Sequence, residues 1–126
     1  MGRLRPGPTD SELAILRVLW ERGPSTVRQV HEAMAGTRDT GYTTTLKLMQ
    51  IMFEKGLVKR DDSMKTHIYQ PAVSKEKTQK HLLGKMIDNL FGGSPTELVI
   101  QALGNHKAST DELEAIQKLI DNLKKQ

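Results

Sequence analysis

Residues 41–71 read GYTTTLKLMQIMFEKGLVKRDDSMKTHIYQP, and the period of their apolar positions changes part-way. From Tyr42 to Lys55 the apolar residues fall at helical spacing: Leu46, Met49 and Phe53 form a stripe, widened by Leu48 and Met52. Gly56 stands where a helix ends in the left-handed conformation, which a residue without Cβ adopts freely. Beyond it the period drops to two. Leu57-Val58-Lys59-Arg60 and Thr66-His67-Ile68-Tyr69-Gln70 flank a polar turn, Asp61-Asp62-Ser63-Met64-Lys65, and Pro71 closes the second run. Two short strands joined by a polar turn predict a β-hairpin.

Upstream, Thr9-Asp10-Ser11-Glu12 has the residues of a capping box, and Leu13, Leu16 and Trp20 continue it at helical spacing until Gly23-Pro24. Ser25 is the expected cap of a second, shorter helix with Val27, Val30 and Met34 facing inward, ended by Gly36. Three helices and a hairpin in this order predict a winged helix-turn-helix domain over 1–72. Downstream the pattern is helical throughout. Ser74 starts a helix carrying Leu83, Met86, Ile87, Leu90 and Phe91, ended by Gly92-Gly93. Ser94-Pro95-Thr96-Glu97 starts a short helix, Glu97 to Leu103, apolar on most of its circumference and broken by Gly104-Asn105. Ser109 caps the last helix, where Leu113, Ile116, Ile120 and Leu123 are spaced three, four and three, as in a coiled-coil seam.

The fold class is therefore mainly α: a winged helix-turn-helix N-terminal domain plus a small three-helix C-terminal domain over 73–126. So short a lobe buries little core by itself. A second copy of the chain would cover Leu83, Met86, Leu90, Leu98, Leu103, Leu113, Ile116, Ile120 and Leu123, giving a homodimer. Packing of these helices back onto the N-terminal domain is the alternative.

The chain has 126 residues, 27% of them charged, and no cysteine. That excludes disulfides, thiolate metal sites and a cysteine nucleophile. No apolar run approaches membrane-spanning length, and the basic N-terminus has no apolar stretch behind it. No membrane insertion and a cytoplasmic location are the expectations. Residues 1–70 carry eleven Lys+Arg against eight Asp+Glu, and residues 71–126 carry eight lysines against seven acids. All seven arginines lie in the first sixty positions. Arginine's planar fork binds phosphates and base edges bidentately, so this bias suggests an anionic partner for the N-terminal half. Simple solubilisation of helices explains the same charges.

No catalytic constellation can be assembled. His31-Glu32 begins like a zinc-protease motif, but Ala35 stands where the second histidine belongs, and the helical reading puts His31 on a solvated face. His67, His81 and His106 have no ligand at metal-binding spacing. No enzyme activity, metal or cofactor is expected. The stronger constellation is Tyr42, Thr43, Thr44, Thr45 and Lys47 at the start of the third helix, the part of a recognition helix that enters the major groove. Threonine is a poor helix former, yet its hydroxyl bonds phosphates and base edges and its methyl packs on thymine. The same threonines could instead be only an N-cap cluster. Arg60, Lys65 and His67 would be wing contacts, and Arg3 and Arg5 would reach the adjacent minor groove or form a solubilising arm. Double-stranded DNA is the expected partner; a protein-interaction adaptor that binds no DNA is the rival.

Residues 9–20 (TDSELAILRVLW), Gly41-Tyr42-Thr43-Thr44-Thr45 and 54–60 (EKGLVKR) resemble the penicillinase repressor family of the BlaI/MecI type, as do Phe91-Gly92-Gly93-Ser94 and Asp111-Glu112-Leu113. The resemblance covers nearly the whole chain. It implies a bacterial winged-helix repressor that dimerises through its C-terminal helices and binds dyad-symmetric promoter DNA, with Thr43, Thr44 and Lys47 matching the recognition-helix contacts. Copper-responsive relatives carry a C-terminal cysteine hook, which this chain lacks. The resemblance also implies a regulatory protease as partner. The Asn-Phe bond cut in the antibiotic-resistance members corresponds to Gln101-Ala102 here.

Overall fold

The computed structural model describes residues 7–126. Helix α1 (Asp10–Arg22) starts at the capping box: Thr9 Oγ1 accepts from the Glu12 backbone N–H at 3.2 Å, and Glu12 Oε1 accepts from the Thr9 N–H at 2.9 Å. Helix α2 (Val27–Met34) is capped by Thr26, with Gln29 completing its box, and not by Ser25 as expected from the sequence. Ser25 is committed elsewhere. It is buried and exchanges backbone hydrogen bonds with Tyr69 at 2.9 and 2.8 Å, which holds it as an isolated bridge beside the hairpin.

Helix α3 (Tyr42–Lys55) ends at Gly56, whose φ of 81° is the left-handed cap that the sequence predicts. Strands β1 (Val58–Asp61) and β2 (Ile68–Pro71) then form the antiparallel hairpin, paired from Val58 with Pro71 to Asp61 with Ile68. One apolar cluster joins these elements: Ile15, Leu16 and Leu19 from α1, Val27, Val30 and Met34 from α2, Met49 and Met52 from α3, and Val58 and Tyr69 from the hairpin. Trp20, at the edge of that cluster, donates from Nε1 to the Val73 carbonyl at 3.0 Å and pins the chain as it leaves the hairpin.

The inward line of α3 differs from the stripe read in the sequence. Thr45, Met49 and Met52 are buried, while Leu46 is half-buried and Phe53 stays 37% exposed. A threonine outcompetes a phenylalanine for the interior here because its hydroxyl finds partners, so little is lost by its desolvation.

The chain separates into two compact units, Met1–Leu82 and Leu83–Gln126, with the division falling inside helix α4 (Lys75–Leu90). The second unit continues with α5 (Pro95–Asn105), capped by Ser94, and α6 (Thr110–Lys124), capped by Ser109 with Glu112 in a full capping box. Helix α5 extends past Leu103 and includes Gly104, where the sequence predicts a break; the Asn105 side chain donates to the Gln101 carbonyl at 2.9 Å. No residue of α4, α5 or α6 is buried. Among the described residues, no helix is long and apolar enough to cross a membrane.

Candidate nucleic-acid interface

The N-cap of α3 is Gly41, which has no side chain to bond the first-turn N–H groups. Those donors and the helix dipole leave partial positive charge at this end. Opposite the buried line of Thr45, Met49 and Met52, helical geometry aligns Thr43, Lys47 and Gln50 at spacings of four and three, and all three are exposed. Thr44 is exposed beside them. Glu54 continues the line near the far end of the helix, so the part suited to an anion is confined to the first turns.

Thr45 corrects the sequence reading: it is fully buried and does not belong to the outward face. Its Oγ1 lies 3.1 Å from His31 Nδ1 and donates to the Gly41 carbonyl at 3.4 Å. His31 is therefore half-buried against α3 and not on a solvated face of α2. Tyr42 is 40% exposed and held on two sides. The His31 ring meets it edge-on with centroids 5.7 Å apart, and the Arg28 guanidinium lies 5.3 Å from its ring centre.

In the wing, Arg60 donates from Nε to Asp62 Oδ1 at 2.7 Å, and its guanidinium sits 4.2 Å from the centre of the Phe53 ring. The hydrogen bond to Asp62, followed by one to Tyr69, raises the Arg60 pKa above its ordinary value. Arg60 thus braces the hairpin against α3, with its charge already engaged. His67 Nδ1 is 3.5 Å from the same Asp62 oxygen. Asp61 accepts the Ser63 backbone N–H at 2.9 Å, which lowers its carboxyl pKa. The two aspartates that would oppose DNA on charge alone are both tied into the hairpin. Lys65 and His67 are exposed and share one cleft with Arg28 and Tyr42, and among the described residues no carboxylate lines it. Arg3 and Arg5 lie outside the described residues.

The structure places Arg28, His31 and Gln50 beside the residues singled out in the sequence, which gives Arg28 and Gln50 no signal and puts His31 on a solvated face. Gln50 follows Lys47 by three positions and was detectable once the inward line was known; the α2 residues are identified only by their contacts across the turn.

Among the described residues, no three His, Asp or Glu side chains gather as metal ligands. The outward α3 face and the adjacent wing suit a polyanion better than a small substrate. The model of the penicillinase repressor family matches residues 8–122, spanning parts of both compact units. The chain belongs to the penicillinase repressor family. Its similarity to the transcriptional regulator BlaI from two strains of Mycobacterium tuberculosis is 31% identity over 119 residues, which is 90% of this chain and 83% of that protein. Among solved structures, the DNA-binding domain of the repressor BlaI has a TM-score of 0.51 at 18% identity, covering 59% of this chain and 90% of that one. The monomeric form of Bacillus licheniformis BlaI, solved with the blaP half-operator, has a TM-score of 0.50 at 18% identity, covering 58% of this chain and 89% of that one. These two likenesses establish the winged-helix fold of the N-terminal unit. The penicillinase repressor family is one of transcriptional regulators, not enzymes.

Proposed function

We propose that this penicillinase repressor family member represses transcription in the cytoplasm by binding dyad-symmetric promoter DNA as a homodimer. The first turns of α3 enter the major groove, Thr43, Thr44, Lys47 and Gln50 meet base edges and phosphates, and the wing lies along the neighbouring backbone. One observation carries the reading: an uncapped α3 start presents an exposed polar line, flanked by a cleft lined by Arg28, Lys65 and His67. The half-operator bound by the Bacillus licheniformis relative supports it.

Dimerisation through residues 73–126 is supported by what those helices leave uncovered. Leu83, Met86, Leu90, Leu103, Leu113, Ile120 and Leu123 are all exposed, with Leu98 and Ile116 half-buried. Apolar surface on this scale, in a unit with no buried residue, is stabilised when a second copy covers it. A regulatory protease would find Gln101 and Ala102 exposed but helical in the middle of α5, so cleavage there requires that helix to open first.

The test is selection of duplexes from a randomised library by the purified full chain. Enriched sequences with two related half-sites are expected; absence of any enrichment at low salt rejects the proposal.

A further inference from the structure

We infer that His31 and Thr45 form a positioning pair that sets the rotation of α3 about its axis, and so controls discrimination between DNA sequences. This rests on the DNA-binding reading above. Thr45 is a fully buried polar residue on the side of α3 opposite Thr43, Lys47 and Gln50. Its hydroxyl lies 3.1 Å from His31 Nδ1, a hydrogen bond whichever partner donates, and 3.4 Å from the Gly41 carbonyl oxygen. The other contacts between α2 and α3 are the apolar packing of Val30, Met34 and Met49 and the ring contacts of Tyr42 with His31 and Arg28. Apolar contacts hold two helices together without direction, whereas a hydrogen bond fixes a distance and an angle. The N-cap glycine supplies no side-chain anchor. Among the described residues, the contact between His31 and Thr45 is the hydrogen bond that ties α2 to the first turn of α3, and it fixes geometry more narrowly than the ring contacts of Tyr42 beside it.

The consequence follows from helix dimensions. Side chains stand about 5–6 Å from the axis, so a rotation of about 20° moves an outward group by about 2 Å. Base-edge hydrogen bonds do not survive that displacement. A lysine–phosphate contact does, because the ammonium is a point charge on a flexible stem. Loss of the pair therefore lowers discrimination and spares non-specific binding.

The experiment measures binding of full-length variants to a duplex selected by the wild-type chain and to a scrambled duplex of equal length. Thr45→Val removes the hydroxyl at nearly constant volume. His31→Phe keeps the ring edge on Tyr42 but loses the nitrogen. Each is expected to bind the selected duplex about tenfold more weakly, with scrambled-duplex affinity within about twofold of wild type. His31→Asn, which puts an amide nitrogen near the Nδ1 position, and Thr45→Ser, which keeps the hydroxyl, are expected to retain discrimination. His31→Gln is not. The double variant His31→Phe/Thr45→Val should be no worse than either single one. Equal losses on both duplexes, additive losses, or a lowered melting temperature with unchanged discrimination would each overturn the pairing. A wild-type chain that selects no duplex removes the DNA reading and this inference together. Selection by wild type with unaffected variants removes this inference alone.

Discussion

Glu12 closes the capping box at the start of α1 and also receives the Lys55 ammonium at 2.7 Å, tying that start to the last turn of α3. Burial disfavours its charge, but the hydrogen bonds from Lys55 and the Thr9 backbone outweigh this and lower its pKa. A carboxyl with a lowered folded pKa contributes stability above its unfolded value, about 4.3, and loses it as pH falls through the folded value. Glu12→Gln should therefore flatten the acid limb of a stability–pH profile measured by urea unfolding. Lys55→Met leaves a buried carboxylate without this partner and should lower the unfolding free energy by about 2 kcal/mol at neutral pH. The capping role was legible because its partners are three residues apart, whereas the ion pair joins residues 43 apart and has no local signature. At the outward face, Lys47→Ala and Gln50→Ala should each reduce discrimination against a mismatched base pair by about 1–3 kcal/mol in competition binding. An equal loss on random duplex would reassign that residue to phosphate contact.

The elements themselves were readable from punctuation and period: Thr9, Gly23, Gly56 and the switch to alternation after it mark real boundaries. Which face each helix turns inward was less legible. Hydropathy favours Phe53 over Thr45, yet Phe53 is at the surface beneath the Arg60 guanidinium, while Thr45 is paid for by His31 and the Gly41 carbonyl. Both outcomes depend on a second element that no local pattern encodes. The same holds for Arg60, whose position on a hairpin suggests phosphate contact but whose partners are Asp62 and Phe53. Arg60→Ala should accelerate amide hydrogen exchange across β1 and β2 while leaving the α1 amides protected. Unchanged exchange in the hairpin would show that the brace is dispensable.

Across the whole molecule, the first unit has a closed apolar cluster and the second has no buried residue. The sequence signalled this imbalance through the shortness of the second lobe and through the three-four-three spacing of Leu113, Ile116, Ile120 and Leu123. Spacing alone cannot tell what covers such a seam, because the partner's surface is not encoded in the local pattern. With a second copy as the cover, Ile116→Glu/Ile120→Glu should sediment as a monomer; an unchanged dimer mass would put the interface elsewhere. A dimer also sets the number of recognition helices on the DNA, and hence the spacing of half-sites. Titrating a selected duplex with the full chain over a series of salt concentrations decides whether a dimer reads DNA sequence. Specific dimeric binding predicts two protomers per duplex and a linear fall of log affinity with log salt, steepening by about 0.9 for each phosphate neutralised. Binding to the selected duplex no tighter than to a random one at low salt would contradict it.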